Sequence, residues 1–169
     1  MMIFLLSSLL ALRDDEVRVT FYAIRASREE KGVLDPNLKE IEKDLRELAP
    51  YNAFETAAAA TLRFAPGGQE VRTGIAVAEL GRYSVVFSPQ QPLGGTIELR
   101  DLTLWEDRVA EEFSVAGGVA VKAVRRHMNA ILKTTVQVPE GKLAIVGSVA
   151  VEGPKGPATI VIAAKAAAR

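Results

Sequence analysis

The sequence is short of several residue types, and each shortage excludes a kind of chemistry. There is no cysteine among the 169 residues, which excludes disulfide bonds, thiolate metal ligands and cysteine nucleophiles. A single histidine, His127, cannot supply a multi-histidine zinc or copper centre within one chain. Lysine plus arginine equal aspartate plus glutamate at 21 each, so the basic excess typical of nucleic-acid-binding proteins is missing. We therefore expect no nucleic-acid partner.

The N-terminal segment indicates export. Residues 1–12 are apolar apart from Ser7 and Ser8, and charged residues follow at once from Arg13. This length suits the hydrophobic region of a signal peptide and is shorter than the roughly 20 residues that a spanning helix needs. No lysine or arginine precedes the apolar run, and only Ala11 is small enough for a cleavage site near its end. Residues 1–12 are predicted to be a signal peptide, with an apolar N-terminal segment packed in the core as the alternative.

The length and the 49% content of hydrophobic residues fit a single domain at residues 13–169. Apolar and polar residues alternate over residues 17–23, which predicts a half-buried strand. Asp35 and Pro36 have the residue types that begin helices, and Pro50 has the type that follows them. The sequence between them predicts one amphipathic helix whose apolar face consists of Leu38, Ile41, Leu45 and Leu48.

After Tyr51 the chain is a series of short apolar segments separated by turn residues, which is typical of strands. The segment 54–64 is ambiguous, because the alanines at 57–60 favour a helix, and we predict a strand there. The fold is therefore predicted to be mainly β (α+β), as an antiparallel β-sandwich or curved sheet with one helix. The further predicted strands are residues 71–79, 83–88, 96–105, 119–124, 131–138, 143–151 and 158–164.

Two details of strand connection also follow from the pattern. Residues 132–138 and 143–151 alternate on either side of Pro139, Glu140 and Gly141, which predicts a hairpin. A second turn at residues 153–156 extends it into a three-stranded meander. The apolar residues stand at odd positions up to Leu99 and at even positions from Leu102. This change predicts a bulge or bend near residues 100–101.

Arg125, Arg126 and His127 form the only candidate ligand contact, to an anion such as a phosphate or a lipid headgroup. The alternative is that His127 is a surface or turn residue between strands. A lone histidine without an acidic neighbour in sequence is poor support for general-base catalysis.

An acidic cluster surrounds the only tryptophan of the chain, and we predict that it is a loop joining two strands. It lacks the aspartate and glycine spacing of a calcium loop, and Trp105 is predicted to lie in the core. No serine lies in a nucleophile elbow, and no glycine pair has the spacing of a phosphate-binding loop. We therefore predict no catalytic, metal-binding or cofactor-binding residues; the cluster is Glu106, Asp107, Glu111 and Glu112.

Two segments resemble known families. The segment from Ala26 through Asp35 and Pro36 to Tyr51 resembles an uncharacterised family of small exported bacterial proteins with a β-rich fold. The segment 134–147, with sequence TTVQVPEGKLAIVG, resembles the hairpin near the end of the outer-membrane secretin domain, although Ser148 replaces the second glycine that secretins usually have. The second resemblance implies a place in a secretion or pilus assembly.

These observations predict a non-catalytic binding or assembly protein of the bacterial envelope, periplasmic or secreted, without a membrane-spanning segment. Its partner is expected to be a protein that adds to a sheet edge, most plausibly the last strand at residues 158–164. The alternative function is a small-molecule carrier or enzyme with a site between helix and sheet or inside a partly closed barrel, which would use Tyr22, Tyr51, Tyr83 or His127.

Overall fold

A computed structural model of the protein describes residues 16–28, 32–48, 50–67, 69–116, 119–153 and 156–168. It contains two four-stranded antiparallel sheets. The first sheet has the order β2-β1-β8-β7, from β1 (Val17–Ser27), β2 (Ala53–Phe64), β7 (Leu143–Gly153) and β8 (Gly156–Ala168). The second has the order β3-β4-β5-β6, from β3 (Val71–Val77), β4 (Gly81–Pro89), β5 (Thr96–Ala116) and β6 (Val119–Pro139).

The two sheets pack face to face, which confirms the predicted mainly β fold of sandwich type. Val17, Val19, Phe21 and Ala23 are fully buried, as the alternation in β1 predicted. They share one apolar cluster with residues of every strand of the second sheet. Across it the ring of Phe87 lies 5.4 Å from that of Phe21 in an edge-to-face arrangement. Apolar burial between the sheets therefore holds the sandwich together.

The predicted helix is present, as a 3-10 helix at Pro36–Ile41 followed by α1 at Glu42–Glu47. The Asp35 carboxylate accepts a hydrogen bond from the Asn37 amide at 2.9 Å, which confirms the predicted cap. Leu38, Ile41 and Leu45 are buried on the outer face of the first sheet, against Ile24 and Val161. The helix thus covers the face of the sheet that points away from the second sheet.

The ambiguous segment is a strand, as predicted: β2 pairs with β1 along its length. The alanines at 57–60 favour a helix only weakly, and pairing with β1 outweighs that preference. The predicted bulge is also present, because the β5–β6 register shifts between Leu99 and Leu102, and Asp101 has a φ of 49°. This shift reorients the side chains so that both Leu99 and Leu102 are buried.

The predicted meander is wrong at its first turn. Strand β6 pairs with β5 in the second sheet, whereas β7 pairs with β8 in the first. Residues 139–142 therefore carry the chain from one sheet to the other, with Gly141 at a φ of 74°. Only the second turn forms a hairpin, between β7 and β8. A corner between sheets needs the same proline and glycine residues as a hairpin turn, so the local pattern does not distinguish them.

The prediction that the last strand is a sheet edge is also wrong. Strand β8 lies inside the first sheet, where it pairs with β1 on one side and β7 on the other. The outer strands are β2 and β7 in the first sheet and β3 and β6 in the second. Residues 160–164 are buried, as expected for an interior strand that is covered on both faces.

Candidate binding surfaces

Strands β5 and β6 extend as a two-stranded ribbon beyond the rest of their sheet. The pairing of β4 with β5 ends at Arg82 and Asp107. From Arg108 opposite His127 to Ala116 opposite Val119, nine further residue pairs join β5 and β6. At about 3.3 Å per residue, this ribbon is roughly 30 Å long. It corrects the prediction of separate strands at 119–124 and 131–138, because β6 is continuous from Val119 to Pro139.

One face of the ribbon carries exposed apolar side chains. Trp105 lies opposite Ser84, whose neighbour Tyr83 is buried, so Trp105 points away from the core. By strand alternation Val109 shares that outer face, and so do their β6 neighbours Met128 and Val124. Val109 is 58% exposed and Val124 is 61% exposed. The same face also carries Asp107 and Arg126. We call its four apolar side chains, Trp105, Val109, Val124 and Met128, the apolar stripe.

A shallow pocket of about 200 Å³ lies at the sandwich end of the apolar stripe. Trp105 and Met128 line it together with Glu70, Arg72 and Val86. The Arg72 Nη2 donates a hydrogen bond to the Met128 sulfur at 3.3 Å. The prediction that Trp105 lies in the core is wrong, because Leu104, the preceding residue, takes the core position and is 1% exposed. The tryptophan is instead a partly buried wall of a surface pocket.

The predicted acidic loop is part of strand β5, and the alternation of the strand separates its carboxylates. Glu106 shares the inner face with Tyr83, whereas Asp107 points to the outer face opposite Arg82. The Arg108 Nε donates to the Glu106 carboxylate at 2.8 Å. The side chains of Glu111 and Glu112 lie outside the described residues. Among the side chains that are described, no group of three or more acidic or histidine residues could hold a metal ion.

The predicted anion contact falls on the ribbon, within β6 and not between two strands. Arg125 and His127 share one face, and Arg126 points to the opposite face, beside Val109. All three side chains are exposed. The structure therefore brings two of the three residues together, and an anion contact there stays a prediction.

The tyrosines proposed for an alternative site lie apart. The Tyr83 hydroxyl, between the sheets, donates to the Leu80 carbonyl at 2.6 Å. Burial, and then the nearby Glu106 carboxylate, raises the pKa of Tyr83 to about 12. Tyr22 and Tyr51 contact the apolar cluster beneath the helix instead. Apolar side chains pack between the helix and the sheet, and a small-molecule site there stays a prediction.

A larger cleft, of about 530 Å³, opens at one end of the first sheet. It lies where β1 ends and β8 begins, and no motif in the sequence predicts it. The Tyr51 hydroxyl and the Thr159 hydroxyl hydrogen-bond to each other at 2.5 Å in its wall. The described residues that line the cleft are Arg25, Ala26, Ser27, Arg28, Tyr51, Pro157, Ala158 and Thr159. Arg25 lies opposite Ile160, so its side chain points between the sheets, whereas Thr159 lies opposite Ala26 on the face that the helix covers.

The described residues contain no helix with the length and apolar character that a membrane crossing requires.

No family model and no curated protein matches the chain. Among solved structures, it is similar in fold to the V. cholerae type IV competence pilus secretin PilQ, at 12% identity and a TM-score of 0.41 over 92% of this chain and 58% of that one. It is also similar to the Salmonella SPI-1 type III secretion injectisome secretin InvG, at 12% identity and a TM-score of 0.39 over 92% of this chain and 65% of that one. The chain thus spans less than two thirds of each, and the likeness is one of fold.

Proposed function

We propose that the protein is a non-catalytic binding or assembly protein of the bacterial envelope and that the β5–β6 ribbon contacts a partner protein. The observation that carries this proposal is the ribbon itself, which projects from the sandwich with Val109 and Val124 exposed on one face and with Met128 exposed at its base. Export to the periplasm or beyond is supported by the apolar residues 1–12 of the sequence. A place in a secretion or pilus system is the narrower form of the same proposal.

The physical argument concerns the stability of the ribbon. A two-stranded hairpin with water on both faces is marginally stable, and residues 124–130 are exposed throughout. A partner that covers the apolar stripe would bury side chains worth about 1.5–3 kcal/mol each when buried completely. It would also stabilise the pairing of the two strands. The ribbon is therefore better suited to a complex than to isolation.

Strand β6 offers a second means of attachment. It is the outer strand of its sheet over 21 residues, whereas β3 at the opposite edge has seven. An outer strand can receive a partner strand through its backbone amides and carbonyls. We propose this edge in place of β8, which is interior.

The test is a shortened ribbon. Replacing residues 110–125 by Asn-Gly would join Val109 to Arg126, which already face each other, through a two-residue hairpin turn. We expect the sandwich to stay folded by circular dichroism, and crosslinking pull-downs from native cells to lose the partner. Sequencing the N-terminus of the recovered full-length chain tests export in the same experiment.

A side-chain variant tests the contribution of the apolar stripe to partner binding without changing the length of the ribbon. Val109→Thr with Val124→Thr keeps β-branched residues in both strands but removes apolar surface. The matched control is Leu93→Ser, which changes a side chain that is 84% exposed away from the ribbon. Recovery of the same partners by the full-length, shortened and threonine chains would overturn the proposal.

The basic residues of β6 form a subsidiary part of this proposal. We propose that Arg125 and His127, which share one face of the ribbon, contact an anionic surface such as lipid headgroups. Arg125→Ala should weaken binding to vesicles that contain anionic lipid, and more strongly at low salt, whereas Arg126→Ala, on the opposite face, is the matched control. Equal binding by the Arg125→Ala chain and the unaltered chain would remove this part while leaving the protein contact intact.

A second candidate function, small-molecule binding, is favoured by the cleft between β1 and β8. Its volume of about 530 Å³ falls in the range of ligand sites.

A further inference from the structure

We propose that the free edge of β6 in the ribbon binds an extended, acidic segment of a partner protein as an added strand. Opposite residues 124–128 of β6, the segment has an apolar residue, three acidic residues and a second apolar residue. It belongs to the partner that the ribbon is proposed above to contact, so this inference rests on that proposed function. The supporting observation is an exposed strand edge whose lysines and arginines are not accompanied by any acidic residue of the same strand.

The backbone of β6 is available along the ribbon. Within the part of the chain that the structure describes, β5 is the only strand that pairs with β6, which is the outer strand of its sheet. Residues 124–130 are exposed, so this stretch of the edge is open to solvent. The N–H and C=O groups of a strand point to its two sides in alternation, so about half of these groups point away from β5. An extended segment can pair with them.

The charge of β6 selects the kind of segment. Residues 119–139 include no aspartate or glutamate, and their lysines and arginines are Lys122, Arg125, Arg126 and Lys133. Like charges directly opposite each other on neighbouring strands are destabilising, whereas opposite charges stabilise the pair. The edge therefore favours an acidic strand. It disfavours a basic strand and also the same edge of a second copy, which brings a second set of basic residues.

The acidic residues of β5, such as Asp107, lie too far from an added strand to cancel this preference. Strands in a sheet are about 4.8 Å apart, so the β5 backbone is about 10 Å from that of a strand added to β6. This separation exceeds the Debye length of about 8 Å at physiological ionic strength, so interactions between exposed charges at that range are largely screened.

The outer face of β6 sets the order of residues in the segment. Arg126 lies there between Val124 and Met128, which are two residues away in either direction. Val109 is directly opposite Arg126 on β5, and the guanidinium forms no ion pair with a described residue. An added strand places its own residues opposite these three, with Cβ atoms about 4.5–5.5 Å apart. An acidic residue can then pair with Arg126, and apolar residues can cover Val124 and Met128, which are 61% and 41% exposed.

The opposite face of β6 adds to the same preference. Arg125 and His127 lie there, and Arg108 of β5 is directly opposite His127. Acidic residues opposite Arg125 and His127 complete the segment, whose order of residues is the same in both directions and so suits a parallel or an antiparallel strand. An anionic lipid surface is attracted to the same two side chains without pairing with the backbone, so backbone pairing distinguishes the two.

The test is a titration of the isotope-labelled full chain with a peptide that has three glutamates between two valines and threonines at both ends. We expect it to shift the amide NMR signals of residues 124–130 and to slow their hydrogen exchange, because the edge becomes paired. Two control peptides have the same side chains, with N-methyl groups on one or the other set of alternate amides. The peptide whose methyl groups face β6 should lose binding. Equal binding of all three peptides, or no shift at millimolar concentration, would overturn the proposal.

A charge exchange tests the position of the contact. Arg126→Glu should weaken binding of the glutamate peptide about three- to tenfold, because an attractive cross-strand pair becomes repulsive. A peptide with lysine in place of the central glutamate should bind the Arg126→Glu chain more tightly than the unaltered chain, and this gain requires a folded protein. The matched control is Lys133→Glu, an equal change of charge at an exposed residue of the same strand, which should leave the binding of both peptides unchanged. Equal effects of the two substitutions would show general attraction to charge and not an added strand.

The pull-downs with the shortened ribbon separate this proposal from the proposed function. If the peptides fail to bind but the shortened ribbon loses its partner, the ribbon contacts the partner without an added acidic strand, and only the present proposal is overturned. If the peptides bind as expected but the shortened and threonine chains recover the same partners, the edge has the proposed chemistry and only the proposed function is overturned.

Discussion

Replacing Phe87 by leucine tests whether the contact between the two sheets depends on aromatic packing. The Phe87 ring of β4 lies 5.4 Å from Phe21 of β1 and 5.6 Å from Phe64 at the end of β2, both edge to face. Phe87 is 1% exposed. Leucine keeps the site apolar but removes the ring, so both aromatic contacts are lost while much of the burial remains.

The expected loss of unfolding free energy can be worked out by comparison with a second phenylalanine. An edge-to-face pair contributes about 0.5–1.5 kcal/mol beyond its buried area, so two pairs contribute about 1–3 kcal/mol. Phe54 is fully buried beneath the helix and, within the part of the chain that the structure describes, pairs with no other ring. Phe54→Leu therefore measures the cost of the smaller side chain alone. Phe87→Leu should cost about 1–3 kcal/mol more than Phe54→Leu.

The assay is equilibrium unfolding in urea, with Phe21→Leu added to complete a double-mutant cycle. The cycle should give a coupling free energy of about 0.5–1.5 kcal/mol between Phe21 and Phe87. A coupling below about 0.3 kcal/mol, which is within the usual error of additivity, would refute the reasoning. So would equal costs for Phe87→Leu and Phe54→Leu, because the aromatic pairs would then contribute nothing.

Three further substitutions have definite expected effects on urea unfolding. Asp35→Ala should cost about 0.5–2 kcal/mol at pH 7 by loss of the helix cap; the Thr56 side chain and the Asn37 backbone amide lower the pKa of Asp35, so the part of this difference that depends on the charged carboxylate is lost as the pH falls through that lowered pKa. Tyr83→Phe should cost about 1–3 kcal/mol at pH 8 by loss of its buried hydrogen bond; because its folded pKa is raised to about 12, the difference should be complete below pH 10 and shrink as the pH rises through 12. Gly141→Ala should cost about 1 kcal/mol, since its φ of 74° disfavours a Cβ that would meet no described atom within 4 Å.

Local patterns were sufficient to predict the elements whose two faces differ in environment. Strand β1 has one face between the sheets, so its apolar residues alternate. The helix begins at Asp35 and Pro36 for reasons that are local to those residues. The bulge at Asp101 was predicted because the segments on either side of it are half-buried and their alternations of apolar residues are out of step by one position. In each case a local signal and the final environment point to the same structure.

The ribbon was missed because its faces do not differ in this way. Residues 125–129 are polar or exposed on both faces, so their sequence has no alternation and was interpreted as a connection between strands. Pairing with β5, and not burial, makes this segment a strand.

The β6–β7 corner was missed for a different reason. Gly147 of β7 lies so close to Leu132 of β6 that a Cβ added to the glycine would be 3.0 Å from the Leu132 side chain. This contact joins the two sheets, and the sequence of the turn between the strands does not specify it.

The cleft could not be predicted because its residues come from three separate parts of the chain. Arg25 lies near the end of β1, Arg28 follows that strand, Tyr51 precedes β2, and Thr159 belongs to β8. They meet because β1 pairs antiparallel with both β2 and β8, so the end of one strand lies beside the starts of the others. None of these residues has a motif around it, and only the strand order of the first sheet brings them together.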